Sequence, residues 1–219
     1  MNALDDPDVQ RVLAREHELS KGDDGRLSPL RSKIDAAKAE GTFTYDMYPA
    51  DVYLAIEPAM GHFLNLCARS ITAKCIVEFG TSFGISTIYL AAAARETGGR
   101  VIGSELEPSK AEKAQANLQE AGLADVADIR VGDAMQTLKD IDGPIDLLFL
   151  DGWKDLYVPV AQLLEPNLRH GSVVLADNIH TFRADIQTYV DHMGREDGPF
   201  HSVTLPFESG LHYSLYNKR

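Results

Sequence analysis

Five acids stand where short apolar runs end. They are Glu78 in Ile76-Val77-Glu78-Phe79-Gly80, Glu105 after Val101-Ile102-Gly103-Ser104, Asp133 after Val131-Gly132, Asp151 after Phe149-Leu150, and Asp177 after Leu175-Ala176. A carboxylate placed beside apolar sequence is desolvated at a cost unless it is paired or binds a ligand. One such acid is usually a helix cap, but five at the ends of five predicted strands read as a site. Asp151, Asp177 and the adjoining Asn178 offer hard oxygens. Two carboxylates and an amide suit Mg2+ or another divalent cation, which keeps several of its waters. The seven histidines are scattered, HExxH is absent, and no His/Cys set has zinc spacing.

Those acids need a scaffold that brings strand ends together. The run 75–79 is apolar and β-branched and stops at Gly80, as a buried strand does at a turn. A helix is predicted over 84–96, so a glycine-bearing loop feeds a helix N-terminus. There, free N–H groups face outward and glycine lets a ligand approach the backbone. A dinucleotide fingerprint asks for glycine at the places held by Gly80, Ser82 and Ile85, and two of the three fail. The acid two residues before Gly80 and the glycine four after it, Gly84, instead resemble the first motif of class I S-adenosylmethionine (SAM) methyltransferases. In that motif an acid and a loop grip the methionine end of SAM. An ordinary tight turn is the competing reading. Glu105 is spaced to accept hydrogen bonds from ribose hydroxyls, a feature common to NAD and SAM binders. Asp133 can hold an adenine amino group, cap a helix, or do both.

Further strands are predicted over 101–105, 127–131, 145–150 and 172–176, alternating with helices over 108–120, 133–139, 155–168 and 182–193. Residues 200–206 and 211–217 form an antiparallel hairpin around Glu208-Ser209-Gly210. Alternating β and α units imply a mostly parallel sheet with helices on both faces, which binds ligands beyond the carboxyl ends of its strands. A helix from Pro58 is predicted to bury Met60, Phe63, Leu64, Cys67, Ala68 and Ile71 along one face. Residues 1–48 are polar. A thin stripe of Val9, Val12 and Leu13, broken between Gly22 and Gly25, precedes a second short helix at Leu30, Ile34 and Ala37. They predict helices laid over the main domain or a lid, with 49–219 as one compact domain. Residues 46–53 are aromatic-rich and either pack a surface loop or face substrate.

The chain has 219 residues, 44% hydrophobic and 25% charged, with a formal net charge of -12. Its acidity argues against nucleic acid and anionic membranes as partners. Cys67 and Cys75 read as buried free thiols in a reducing compartment. The acidic start lacks the basic-then-apolar order of a signal peptide, and the longest apolar run, 85–94, is too short to span a bilayer. A soluble, cytoplasmic protein is expected.

Phe149-Leu150-Asp151-Gly152-Trp153-Lys154-Asp155-Leu156-Tyr157, with Leu175-Ala176-Asp177-Asn178, closely resembles the catechol O-methyltransferase family. Ile56-Glu57-Pro58-Ala59-Met60-Gly61-His62-Phe63-Leu64 resembles the segment before the first strand in its caffeoyl-CoA relatives, and Ser209-Gly210-Leu211 its last hairpin. The likeness spans about residues 54–217 and leaves the N-terminal segment uncovered. It implies a class I SAM-methyltransferase fold, a Rossmann-like seven-stranded sheet, and Mg2+-dependent O-methylation. By resemblance, Glu78, Gly80 and Ser86 hold the methionine end of SAM, with Ser82 and Phe83 in the same loop and the backbone near Ile56. Glu105 holds the ribose, Asp133 and Ala134 lie at the adenine, and Asp151 and Trp153 border the cofactor. Asp151, Asp177 and Asn178 bind the metal, Lys154 is the base, and Trp153 walls the acceptor pocket. The chemistry agrees: a nearby divalent cation favours the phenolate, and burial beside that cation lowers an amine that would ordinarily stay charged. Asn178 and His212 are expected to face the substrate, a catechol-type phenol, while His180 either faces it or sits at the surface; a homodimer is expected on likeness alone.

Two departures carry expectations of their own. Gly152 stands where the family commonly has a larger residue, which predicts a more open adenine side. His212 stands where mammalian enzymes carry a glutamate, which predicts a different preferred acceptor. The rival readings are methylation of a caffeoyl ester, a flavonoid or a natural-product sugar diol, an NAD-binding oxidoreductase, and a SAM-binding scaffold without catalysis.

Overall fold

The computed structural model describes residues 2–180 and 183–217. In chain order the main elements are α1 (Pro7–Ser20), α2 (Asp23–Leu27), α3 (Arg31–Glu40), α4 (Pro58–Ser70), β1 (Cys75–Phe79), α5 (Ile85–Thr97), β2 (Arg100–Glu105), α6 (Pro108–Glu120), β3 (Ala127–Val131) and α7 (Ala134–Thr137). They continue with β4 (Ile145–Leu150), α8 (Tyr157–Leu164), β5 (Leu168–Ala176), α9 (Arg183–Met193), β6 (Phe200–Leu205) and β7 (Leu211–Tyr216). The sheet has seven strands in the order β3-β2-β1-β4-β5-β7-β6. β1 to β5 run parallel, and β7 pairs antiparallel with both β5 and β6. The order reverses between β1 and β4, so their carboxyl ends open the crevice where such sheets take ligands.

Side chains alternate across the sheet with a period of two. Ile76, Leu147, Phe149, Val173 and Leu175 enter one core layer with α1, α4, α5 and α6. Val77, Leu148, Leu150, Val174 and Ala176 enter the other, with α7, α8 and α9. All residues of β1 and β4 are buried, as central strands covered on both faces must be. The apolar run 85–94 is the first ten residues of α5, buried on every side. The sheet covers one side of α5, α4 approaches closely where Gly61 meets Tyr89, and Leu4, Val9, Val12 and Leu13 of the N-terminal segment join the same layer. Among the described residues no helix is long and apolar enough to cross a membrane.

Three predicted boundaries are corrected. The helix placed over 155–168 is α8 alone, with tight 3-10 turns at Lys154–Leu156 and Glu165–Asn167. Glu165 keeps helical dihedrals (φ -52°, ψ -41°), but Pro166 supplies no backbone N–H for a helical bond, and the chain tightens there into the 3-10 turn. β5 therefore begins at Leu168 rather than Ser172, and its pairing with β4 shifts between Ile145 and Leu147. Gly171, at φ +84°, absorbs the irregularity. The N-terminal break, expected over Gly22 to Gly25, falls at Lys21–Gly22, and Gly25 lies inside α2.

The N-terminal helices are pinned by a buried acid. Glu16 of α1 is fully buried and accepts from Arg15 Nε at 2.7 Å and Tyr53 Oη at 2.8 Å. Asp23 accepts from the backbone N–H groups of Tyr53 and Leu54. Glu16→Ala leaves a buried phenol without its acceptor and is expected to cost about 2 kcal/mol. Glu120→Ala, which breaks only exposed ion pairs with Arg11 and Arg15, should cost far less, because solvent screens such pairs. Urea denaturation of both variants checks the contrast; equal losses would contradict it.

Candidate active site

At the end of β1, Glu78 is fully buried and lies opposite Gly103 of β2. A Cβ on residue 103 would fall 2.4 Å from Thr81 Oγ1, so the glycine makes room for Thr81. Thr81 Oγ1 donates to Glu78 Oε2 at 3.1 Å, and Thr87 Oγ1 donates to the same oxygen. Glu78 Oε1 is buried and has no hydrogen-bond partner among the described residues. Burial pushes this carboxyl up to about 7, against the pull of the Ser86, Thr87 and Thr81 hydroxyls. An acid with one oxygen unmatched, at the base of a glycine loop and a helix N-terminus, fits a cationic ligand group such as the ammonium of SAM.

The loop itself is held from three sides. Gly80 has φ +95°, and a Cβ there would meet the Gly152 backbone at 2.6 Å, so the turns after β1 and β4 touch backbone to backbone. Ser82, at φ 48°, donates its N–H to Glu105 Oε2 at 2.7 Å and its hydroxyl to the Tyr53 carbonyl at 2.9 Å. Phe83 stacks on Tyr53 with ring centroids 4.0 Å apart. Gly84, at φ 85°, opens α5, and Ser86 lies buried in its first turn. Glu105 accepts from Glu107 N–H as well, so it braces the loop from the end of β2. Asp133 caps α7 by accepting from Met135 N–H at 2.9 Å, with Ala134 buried behind it. Ile56 is buried in the core layer around α5.

The expected openness at Gly152 is not found. A Cβ on residue 152 would lie 2.4 Å from the Phe79 ring, so that ring fills the space a larger residue would take.

The second half of the site lies at the tips of β4 and β5. Asp151 N–H donates to the Phe79 carbonyl at 2.8 Å, and Asp177 N–H donates to the Leu150 carbonyl at 3.0 Å. The strand ladder thus runs one step beyond the strands and sets both acids on neighbouring tips. Lys154 Nζ lies 3.5 Å from Asp151 Oδ1 and donates to Tyr157 Oη at 2.7 Å. The side chains of Asp151 and Lys154 are each 10% exposed. Ser209 Oγ, in the β6–β7 turn, donates to Asp177 Oδ1 at 2.5 Å. Burial raises both carboxyls; Lys154 opposes this at Asp151, while Asp177 adds to it. Burial also lowers the Lys154 amine, against the attraction of Asp151 and Asp177.

Asn178 holds a left-handed backbone at φ 66°, uncommon for a residue with a Cβ. Among the described residues no group of three or more His, Cys, Asp or Glu side chains is arranged to hold a metal. The predicted set is instead two acids and an amide. Two desolvated carboxylates that disfavour each other's charge are what a divalent cation relieves, and their oxygens are the hard donors it takes. The residues fit the ion.

Trp153 is half-buried, and Tyr45 stacks on it with centroids 4.1 Å apart and planes 12° from parallel. Tyr48 and Phe43 pack around the same ring, and Tyr45 Oη donates to the Asp155 carboxylate. His180 is exposed beside Gly210 of the last turn. His212 is 4% exposed, with Nδ1 3.1 Å from Thr204 Oγ1 and its ring edge-on to Tyr189. Burial lowers its imidazole, which favours the neutral form. The structure thus gathers Asp151, Lys154 and Asp177, and sets His212 in the core behind them.

Thr81, Thr87, Ser209 and Tyr157 belong to the site without having been singled out by type. Gly103 carried a signal, since glycine inside a strand marks a close approach.

Residues 77–179 match a family model described as a methyltransferase domain. The chain is 37% identical over 159 residues to a catechol O-methyltransferase of Mycobacterium tuberculosis, covering 72% of this chain and 66% of that one. It is 35% identical over 168 residues to the catechol O-methyltransferase of Sus scrofa, covering 71% of this chain and 89% of the relative. Among solved structures it is similar to the O-methyltransferase TomG of Streptomyces achromogenes, involved in tomaymycin synthesis and in complex with SAM. The TM-score is 0.68 and the identity 27%, over 86% of this chain and 89% of that one. The chain spans just under two thirds of the mycobacterial relative's length.

A raised carboxyl makes stability depend on pH. Glu78 titrates at about 7 when folded, above its ordinary 4.5, so stability falls as pH rises between those values. At 1.36 kcal/mol per unit the loss is at most about 3 kcal/mol. Glu78→Gln removes it. The ligand-free variant should gain on wild type by up to that amount between pH 5 and pH 8, read by urea denaturation. Parallel pH profiles for the two proteins would contradict the assignment.

Proposed function

The chain belongs to the catechol O-methyltransferase family, and from that premise we propose that it methylates a hydroxyl of a catechol-type vicinal diol. The methyl donor is SAM, the metal is Mg2+ or another divalent cation, and the general base is Lys154. The observation that carries this reading is the single buried cluster of Asp151, Asp177 and Lys154 on adjoining strand tips. Bound SAM supplies an electrophilic methyl on sulfur, and the bound cation supplies a charge that favours the phenolate. Asp151, Asp177 and Asn178 would hold that cation. Lys154 would take the phenolic proton, and its burial lowers the amine in the direction a general base needs.

On the other side of the crevice, Glu78, Gly80, Ser82, Phe83 and Ser86 would receive the methionine end of SAM, and Glu105 its ribose. Asp133 and Ala134 would lie at the adenine. Holding donor and acceptor in contact would account for much of the acceleration. Trp153, with Phe43, Tyr45 and Tyr48 packed around it, gives the site an aromatic flank. This favours a flat phenolic ring over a sugar diol. In the same reading residues 1–48 cover the catalytic unit formed by 49–219.

Lys154→Ala should lower kcat about 10³-fold while SAM affinity, measured by calorimetry, stays within about 3-fold of wild type. Wild-type turnover in that variant would remove Lys154 from the role of base. EDTA should abolish methylation of a catechol and added Mg2+ should restore it, whereas Asp151→Ala should be inactive at any Mg2+ concentration. Full activity in EDTA would rule out the metal.

A further inference from the structure

We infer that Tyr157 is a positioning residue for the base: its buried hydroxyl is held as a fixed acceptor that sets where the Lys154 amine stands. The inference rests on the proposed role of Lys154 and concerns a residue that takes no chemical step itself. Tyr157 is fully buried at the first position of α8. Lys154 opens the preceding 3-10 turn three residues earlier, so both side chains leave the same side of the chain. The phenol has one proton to give. Its oxygen lies 3.3 Å from the Asp177 carbonyl, which can only accept, so the proton points there. What the phenol offers Lys154, at 2.7 Å, is a lone pair.

An ammonium and a neutral amine both have an N–H to give to that lone pair, so the contact persists when the base gains or loses its proton. It also adds no full negative charge beside the nitrogen, unlike the Asp151 carboxylate at 3.5 Å. Because the same hydroxyl is tied to the backbone of Asp177, the amine is placed relative to a proposed metal ligand rather than to a loop. The ring is located independently. It packs edge-on to Phe79, at 6.4 Å, and to Tyr189, at 5.5 Å, so it stays in place without its hydroxyl. The ring packs in the core and also lies 4.9 Å from the Lys154 amine, a contact that Tyr157→Phe keeps, so the substitution removes the contribution of the oxygen alone.

The test is Tyr157→Phe in the full chain, which keeps the ring and deletes the oxygen. Two readouts are taken: steady-state methylation of a catechol with SAM and Mg2+, and acylation of Lys154 by an amine-directed N-hydroxysuccinimide ester without SAM or metal, followed by peptide mass spectrometry. The expected result is a fall in kcat of about 10-fold or more, since small misplacements of a reacting group are costly, with KM for SAM near wild type. Lys154 should acylate several-fold faster as its amine loses this hydrogen bond. Wild-type acylation of Lys154 in Tyr157→Phe overturns the inference, whether or not kcat has fallen, because a merely structural role would lower activity without moving the amine. Absence of methylation in the wild-type protein would defeat the proposed function, and the acylation rates would still decide the placement of the amine. Wild-type kcat in Tyr157→Phe, with Lys154→Ala inactive, would defeat the inference alone.

Discussion

Two carboxylates, Asp151 and Asp177, are forced out of water at neighbouring strand tips, and much of the structure around them answers that constraint. Their backbones extend the parallel ladder of β1, β4 and β5 by one step, so neither tip can swing to solvent without breaking a sheet hydrogen bond. Ser209 reaches from the last hairpin to satisfy one oxygen of Asp177, and Lys154 stands near Asp151. That lysine is itself desolvated and disfavoured as a cation. Folding needs alone do not account for a paired but undercompensated cluster of this kind, because apolar residues of similar volume would be at least as stable there. The proposed function accounts for it by a cation and an acidic hydroxyl arriving together.

The other half of the crevice follows the same logic with one acid. Glu78 is buried with three hydroxyl residues within reach and one oxygen unmatched. The loop above it is fixed by Glu105 on one side and by Tyr53 on the other. Tyr53 is in turn held by Glu16 and Asp23 from the N-terminal helices. The polar N-terminal segment thus reaches the cofactor side of the site through a chain of hydrogen bonds. Gly80 and Gly152, back to back, let the two halves approach without a side chain between them.

Most of this scaffold was legible in the sequence because the sheet is parallel and central. A run such as Ile145–Leu150 is too short for a buried helix and too apolar for a loop, and acids closing such runs mark the strand ends. The five acids were found by that rule, and the structure puts each at its expected strand end. What was not legible depends on contacts distant along the chain. The early end of α8 follows from Pro166, but the earlier start of β5 needed the partner strand to reveal it. Thr81 and Ser209 look like turn residues until their acceptors are known. The space at Gly152 was misread because the Phe79 ring, which occupies it, belongs to another strand. His212 alternates correctly for the hairpin, yet only the packing of Tyr189 shows that its ring is enclosed.

Whether the two strand-tip acids share one cation is tested, without reference to turnover, by titrating the protein with Mn2+ and following the free ion by electron paramagnetic resonance. A shared cation requires one tightly held ion per wild-type chain and none in Asp177→Ala at the same protein concentration. Equal Mn2+ uptake by the two proteins, or no uptake by wild type, would contradict it.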